Sequence, residues 1–255
     1  MLVSHPHQFI YLKTRKTAGT SVEMAFQPWA AARPEARVKE AGHAKISVAG
    51  VVGMRLIPEP ERTRADRTWL PHLPAADLHE QVGTRIWSRY VKVAVVRNPF
   101  DRMVSMFHWR DSLRAERRTG QRAAAAEDFD ETRARFRDYV LNVDWRTDED
   151  ILTLGGAWCI DVALRHEHLP QDIAAFARQV DIDADQIVLP ITKDGKSLRQ
   201  GHAVADYFDT ETEGRVQDRM AWAFDRFGYP TRPAAADDAV WSALNTDRRV
   251  PGRTT

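Results

Sequence analysis

Two short apolar runs, Phe9–Leu12 and Tyr90–Val96, are the clearest regular features of the chain. Apart from one lysine, their residues are continuously apolar and rich in aromatic and β-branched types, which is typical of parallel strands covered on both faces. Each run leads into a polar turn and then into a stretch with helical spacing. Strand, turn and helix in this order predict an α/β fold with a central, mainly parallel sheet flanked by helices.

Patterns elsewhere predict further elements. Apolar residues spaced three and four apart predict a helix over His72–Val82, and the same spacing predicts one helix over Tyr207–Tyr229. Arg110–Asp138 mixes charges of both signs, which favours two solvated helices over a surface for nucleic acid. Ile46–Val52 is a short apolar run that fits either a strand or a buried loop.

The turn after the first run, Lys13–Gly19, holds three cations, two hydroxyl groups and a glycine in seven residues. A helical pattern resumes at Thr20. Because a helix N-terminus offers N–H groups and a partial positive charge, this turn predicts a phosphate cradle. It is not a Walker A loop, because GxxxxGK[ST] requires a glycine five residues before the Gly-Lys pair and none occurs here.

The hexapeptide Lys16-Thr17-Ala18-Gly19-Thr20-Ser21 resembles the 5′-phosphosulfate loop of sulfotransferases that use 3′-phosphoadenosine-5′-phosphosulfate (PAPS), of the carbohydrate and bacterial type. In that family the lysine and the N–H and hydroxyl groups after it hold the 5′-phosphate and the sulfuryl group. The resemblance implies a three-layer P-loop-like fold, with Lys16 as a catalytic cation. The PAPS-binding residues implied in this loop are Lys13, Arg15, Lys16, Thr17, Ala18, Gly19, Thr20 and Ser21. Arg15 stands where many members have proline, and Lys13 is a candidate second cation for the sulfonate.

A second motif, Arg97–Ser105 (RNPFDRMVS), begins directly after the second apolar run. It places an arginine at the carboxyl end of a strand and a proline near the start of a helix, where ligands of open parallel sheets bind. The spacing resembles the 3′-phosphate motif of PAPS-dependent sulfotransferases, whose first arginine and closing serine bind that phosphate. The resemblance therefore implies that Arg97 and Ser105 read the 3′-phosphate of the nucleotide.

A catalytic base is also implied by the resemblance. His72 opens a predicted helix, as does the histidine that many bacterial and carbohydrate sulfotransferases use to accept the proton of the acceptor hydroxyl. The positive end of a helix dipole disfavours imidazolium, so we expect His72 to be neutral near pH 7. His43 is the nearest rival, and if neither acts, the base is an acid such as Asp77 or Glu80, or none is needed.

Composition and charge limit the domain organisation, the classes of partner and the cysteine chemistry that the chain can have. With 255 residues and 43% hydrophobic content, the chain is expected to form one domain over 1–230, followed by a poorly ordered tail over 231–255 that has little apolar content. The net charge of +1 gives no argument for a nucleic-acid partner. The single cysteine, Cys159, excludes an intramolecular disulfide and a thiolate zinc site.

No run approaches the roughly 18–20 apolar residues of a membrane span. Strand-like sequence begins by Gln8, which leaves no room for the apolar core of a secretory signal. A cytoplasmic protein without a transmembrane segment is therefore expected.

The resemblance of the two loops implies a PAPS-dependent sulfotransferase that moves a sulfuryl group to the hydroxyl of a glycan or small molecule by in-line displacement. Neither loop contains an acidic cluster suited to Mg²⁺, so we expect catalysis without a metal. The alternatives are a metal-dependent phosphotransferase on a P-loop-like fold and a nucleotide-binding module without turnover. The identity of the acceptor, the oligomeric state and the role of the polar loop over 192–201 stay open.

Overall fold

The computed structural model describes residues 1–31, 43–53, 68–120, 128–190 and 197–236. The described strands are, in chain order, β1 (Leu2–Ser4), β2 (Phe9–Leu12), β3 (Lys45–Ser47), β4 (Gly50–Val52), β5 (Val91–Val96), β6 (Thr153–Leu154), β7 (Ala157–Trp158) and β8 (Val162–Arg165). The described α-helices are α1 (Gly19–Phe26), α2 (Ala75–Val82), α3 (Thr84–Arg89), α4 (Pro99–Thr119), α5 (Phe129–Asn142), α6 (Glu149–Leu152), α7 (Leu169–Gln179), α8 (Thr210–Arg219) and α9 (Ala221–Phe227). These elements fall into two compact units, one from the described parts of 1–96 and 148–192 and one from those of 97–147 and 193–244.

The first unit contains a six-stranded sheet in the order β3-β4-β1-β2-β5-β8. Parallel pairing joins β2 to β5 and β5 to β8, whereas β1, β3 and β4 extend the sheet by antiparallel pairing. The prediction of an α/β fold with a central sheet flanked by helices is confirmed. The run Ile46–Val52 proves to be a hairpin, and the short strand β1 was not predicted.

Parallel pairing gives β2 and β5 a shared carboxyl edge. Leu12, the last residue of β2, pairs with Ala94 near the end of β5. All four residues of β2 are buried, as a strand covered on both faces requires. The phosphate-cradle turn continues from β2 at this edge, and Arg97 is the next residue of the chain after β5.

One face of the sheet packs against α1 and α7. Phe9 of β2, Phe26 of α1 and Phe176 of α7 form three edge-to-face ring pairs with centroids 5.5–5.7 Å apart. Such pairs add about 0.5–1.5 kcal/mol each beyond the burial of apolar area. This aromatic contact fixes α1, and with it the turn that precedes α1, against the sheet.

The second unit is helical and has an aromatic core. Phe136 of α5 packs against Phe107 of α4 with ring centroids 5.4 Å apart, and against Phe208 at 4.9 Å. The single helix predicted over Tyr207–Tyr229 was wrong, because the structure has α8 and α9 with a break at Met220. A new helix, α8, begins after Asp209, which caps it. The side chain of Asp209 accepts the N–H of Thr212, and the hydroxyl oxygen of Thr212 accepts the N–H of Asp209.

The prediction of one domain over 1–230 and a tail over 231–255 stays a prediction. Within that tail, Pro233–Ala235 forms a 3₁₀ turn in which Pro233 is buried. Residues 237–255 lie outside the described residues, as do residues 192–196 of the polar loop.

Candidate active site

The turn after β2 carries two residues in the left-handed backbone region. Lys16 has a φ of 63° and Ala18 a φ of 59°, and α1 begins at the next residue, Gly19. This conformation is costly for a residue with a side chain, so the surrounding structure must hold the turn in shape. Such turns point successive N–H groups toward one place, and the start of α1 adds N–H groups that no carbonyl within the helix accepts. The turn therefore has the backbone form of an anion cradle.

Two buried threonines anchor the turn to the sheet. The hydroxyl of Thr14 donates to the carbonyl oxygen of Val95 in β5 over 2.5 Å. Because a hydroxyl has one proton, the hydroxyl of Thr17 then donates to that of Thr14, 2.8 Å away. The side chain of Thr17 thus faces the interior, with its hydroxyl bonded to Thr14.

Lys13 and Arg15, two cations of the turn, form ion pairs with acids. The ammonium of Lys13 binds the carboxylate of Glu23 on α1, and both side chains are nearly buried. The guanidinium of Arg15 binds the buried carboxylate of Asp148, which also accepts the backbone N–H of Arg15 over 2.7 Å. These pairs tie the turn to α1 and to the start of α6.

Gly19 is required by the packing of the turn itself. A Cβ atom at this position would lie 2.9 Å from Cγ of Lys13, 3.2 Å from the carbonyl oxygen of Thr14 and 3.3 Å from the hydroxyl of Tyr11. The space beside Gly19 is therefore filled by the protein.

Replacing Gly19 with alanine is expected to lower the free energy of unfolding by about 1–3 kcal/mol, because an inserted methyl group must displace these neighbours. Urea unfolding followed by circular dichroism measures this. Gly214→Ala on α8 is the matched control, since a Cβ there meets nothing within 4 Å and alanine favours a helix. Equal stability changes in the two variants would contradict the packing at Gly19.

His72 lies against the backbone of the turn. Its Nδ1 is 2.8 Å from the carbonyl oxygen of Lys13. A carbonyl oxygen only accepts, so Nδ1 carries the proton and the lone pair of the neutral ring is on Nε2. Burial, followed by the charge of Arg15, lowers the pKa of His72 to about 3. The ring is neutral near pH 7, as expected. The cause is burial and the charge of Arg15 rather than a helix dipole, because α2 begins only at Ala75.

The other candidate bases are placed differently. His43 is exposed and precedes β3, which is the outermost strand on its side of the described sheet. Asp77 and Glu80 lie exposed on α2. Of these four candidates, all within the described residues, His72 is joined by a hydrogen bond to the turn.

The second motif forms the start of α4. Asn98 caps this helix: its side-chain oxygen accepts the N–H of Phe100 at 2.9 Å and of Asp101 at 3.3 Å. Pro99 occupies the first helical position, where its missing N–H is no loss. Nε of Arg97 donates to Asp101 over 2.6 Å, and Ser105 lies one turn further along the same face, half-buried.

Comparison with known protein families decides the identity of the chain. The model of the sulfotransferase family matches residues 1–230, a range that includes the turn after β2, His72 and the start of α4. The chain belongs to the sulfotransferase family. Comparison with curated proteins and with solved structures gave no match. Membership supports the transfer of a sulfuryl group to an acceptor hydroxyl as the general activity.

Arg199 is a residue of this sulfotransferase that the sequence patterns did not single out. Its guanidinium binds Asp101, which thereby holds both Arg97 and Arg199. Burial alone would raise the pKa of Asp101, but the two arginines lower it to about 2, so the carboxylate is ionised. The signal for Arg199 was weak, because it follows a polar loop and its partner is 98 residues away in the chain.

The Nε–H of Arg199 is buried, and no hydrogen-bond acceptor for it occurs in the part of the chain that the structure describes. Leaving a buried donor unpaired costs about 1–3 kcal/mol. A charged donor held in this state is suited to an anion supplied from outside the chain.

Across the described ranges, no helix combines the length and the apolar character that crossing a bilayer requires.

Proposed function

We propose that this sulfotransferase uses PAPS as the sulfuryl donor and the hydroxyl of a glycan or small molecule as the acceptor. The observation that carries the choice of donor is the arginine pair on Asp101, because the buried Nε–H of Arg199 beside the Arg97–Ser105 motif fits a phosphate group. PAPS has such a group at its 3′ position, and when bound it supplies the sulfuryl group and leaves as 3′-phosphoadenosine-5′-phosphate (PAP).

The turn after β2 is proposed to hold the 5′ end of the donor. Its backbone form and the start of α1 supply N–H groups from Thr17 to Ser21, and the hydroxyl groups of Thr20 and Ser21 add donors. Lys16 is proposed to neutralise the charge that develops on the oxygen of the leaving nucleotide. Lys13 and Arg15 are proposed to hold the turn in place, because their charges are paired with Glu23 and Asp148.

His72 is proposed as the general base. Its Nε2 carries the lone pair because Nδ1 donates to the turn, and this bond also fixes the orientation of the ring. A base in this position accepts the proton of the acceptor hydroxyl as the oxygen attacks in line. We propose that no metal ion takes part and that residues 1–230 form the catalytic domain.

Arg97→Ala tests the donor assignment. Isothermal titration calorimetry of the wild type is expected to show much tighter binding of PAP than of 5′-AMP, which lacks the 3′-phosphate. Each charge-assisted hydrogen bond contributes about 1.5–3 kcal/mol, so the substitution should weaken PAP binding about 10–150-fold and leave AMP binding nearly unchanged. Arg117→Ala, which removes an exposed arginine near the other end of α4, is the control. Equal affinity of the wild type for the two nucleotides would refute the assignment.

The alternative functions are separated by two further measurements. Titration with ATP in the presence and absence of Mg²⁺ distinguishes a phosphotransferase, for which metal-dependent ATP binding should exceed PAP binding. Formation of a sulfated product from PAPS distinguishes an enzyme from a nucleotide-binding module, which would bind PAP without turnover.

A further inference from the structure

We infer that Asp148 is a positioning residue for the general base, because it fixes Arg15 in the turn after β2 and offsets the charge of that arginine near the ring of His72. The inference rests on the proposed function, in which His72 accepts the proton of the acceptor hydroxyl. The sequence patterns did not single out Asp148, which lies 133 residues from Arg15 along the chain. All three residues belong to the first compact unit.

Asp148 holds Arg15 by two bonds. One carboxylate oxygen, Oδ2, accepts the backbone N–H of Arg15 over 2.7 Å, and the other, Oδ1, accepts an N–H of its guanidinium. The side chain of Asp148 is only 2% exposed, so water competes little for the carboxylate. Because one bond reaches the backbone and the other reaches the tip of the side chain, a single carboxylate fixes both the turn beside Lys16 and the charge of Arg15.

The backbone at Asp148 permits a substitution that removes the charge and little else. Asp148 has a φ of 67°, in the left-handed region, and directly precedes α6. Aspartate and asparagine enter this region more readily than other residues that have a Cβ. Asparagine also keeps an oxygen that can accept the backbone N–H of Arg15. Asp148→Asn therefore separates the effect of the charge from that of the backbone contact.

The turn places His72 near this ion pair. Nδ1 of His72 donates to the carbonyl oxygen of Lys13, two residues before Arg15. The charge of Arg15 disfavours the imidazolium form of the ring, and so does the charge of Lys13, which is paired with Glu23. The charge of Asp148 favours it. Since a general base must hold a proton during transfer, an arginine without this carboxylate would weaken the base.

The two members of the pair are therefore expected to act on His72 with opposite signs. If the pair only held the turn in shape, losing either member would disturb the ring in the same way. If the charges act on the ring, Arg15→Gln raises the pKa of His72 and Asp148→Asn lowers it. The sign of the change thus distinguishes the inference from a purely structural role.

The experiment follows the titration of His72 by NMR of the protein labelled with ¹⁵N-histidine, in which the resonance of His72 is identified by its absence from His72→Ala. We expect Arg15→Gln to raise the pKa of His72 from about 3 by about 1 pH unit or more. Adding Asp148→Asn to Arg15→Gln should lower the pKa again by about 1 pH unit. With PAPS as substrate, the acid limb of kcat/KM should move by the same amounts.

Asp172→Asn, also added to Arg15→Gln, is the matched control. Asp172 of α7 accepts the backbone N–H of Arg165 over 2.7 Å and an N–H of its guanidinium over 2.7 Å, as Asp148 does for Arg15. This pair joins the end of β8 to α7 instead of the turn after β2 to the start of α6. The control should leave the titration of His72 unchanged.

Each outcome has a definite meaning. If Asp148→Asn leaves the pKa of His72 unchanged in the Arg15→Gln protein, the inference is overturned and the proposed function stands. Normal turnover in His72→Ala overturns the assignment of the base and the inference with it. If circular dichroism shows that Arg15→Gln does not fold, Asp148→Asn alone is compared with the wild type at pH values near the wild-type pKa of about 3. The ring of the variant should then stay neutral, and an equal protonated fraction in the two proteins overturns the inference.

Discussion

Replacing Lys16 with alanine is expected to lower kcat about 10²–10³-fold and to weaken PAP binding far less. The lysine stands in the left-handed turn directly before α1, at a φ of 63°. An ammonium in this position gains most when charge accumulates on the oxygen of the leaving nucleotide, and this happens in the transition state. Steady-state kinetics with PAPS, together with calorimetry of PAP, separates the effect on turnover from the effect on binding.

Lys13→Ala is the matched control for this experiment. Lys13 lies in the same turn, but its ammonium binds Glu23, whose side chain is only 10% exposed. Removing Lys13 takes away a partner of a nearly buried carboxylate, so we expect a loss of stability and a smaller loss of kcat than in Lys16→Ala. A greater loss of kcat in Lys13→Ala than in Lys16→Ala would show that the register carried over from the family is wrong.

The strands and turns that carry the candidate site could be predicted because their signals are local. Phe9–Leu12 is β2 as predicted, and Tyr90–Val96 contains β5. A continuous apolar run is explained by burial on both faces, and the change to cations and hydroxyl groups marks where the strand ends. The start of α4 has a local signal of the same kind, since asparagine is favoured at the N-cap and proline at the first position of a helix.

Pairings between distant residues could not be predicted. The sequence shows that Lys13 and Arg15 are cations, but not that Glu23 and Asp148 neutralise them. Arg199 lies among many arginines, and only the fold brings it to Asp101. Ion pairs of this kind depend on the positions of whole elements, about which a local pattern carries no information.

The reason for the neutral state of His72 also required the structure. The helix dipole was the local explanation, but α2 begins at Ala75 and the ring instead lies against the carbonyl of Lys13, near Arg15. The prediction that His72 is neutral near pH 7 is confirmed, but the physical cause is burial and Arg15 rather than the helix dipole. The difference matters because it changes the expected dependence on pH.

His72→Ala is expected to lower kcat about 10²–10⁴-fold, the range typical of a lost general base, and to leave PAP binding intact. His43→Ala is the control, and we expect near-normal turnover because His43 is exposed beside an outer strand. If His43→Ala is inactive and His72→Ala is active, His43 rather than His72 is the general base. If both stay active, the base is an acid such as Asp77 or Glu80, or the acceptor needs none.

The pH dependence tests the environment of His72 independently of turnover. The ordinary pKa of histidine is 6.5, and that of His72 in the folded protein is about 3. Between these values the unfolded chain binds a proton that the folded protein does not, so falling pH favours unfolding and stability rises with pH across this window. One such proton contributes a slope of about 1.4 kcal/mol per pH unit. Urea unfolding of wild type and His72→Ala between about pH 4 and 7 should therefore give a shallower slope for the variant. Equal slopes would mean that the ring titrates as it does in water, and in that case the acid limb of kcat/KM would lie near pH 6.5 rather than well below pH 5.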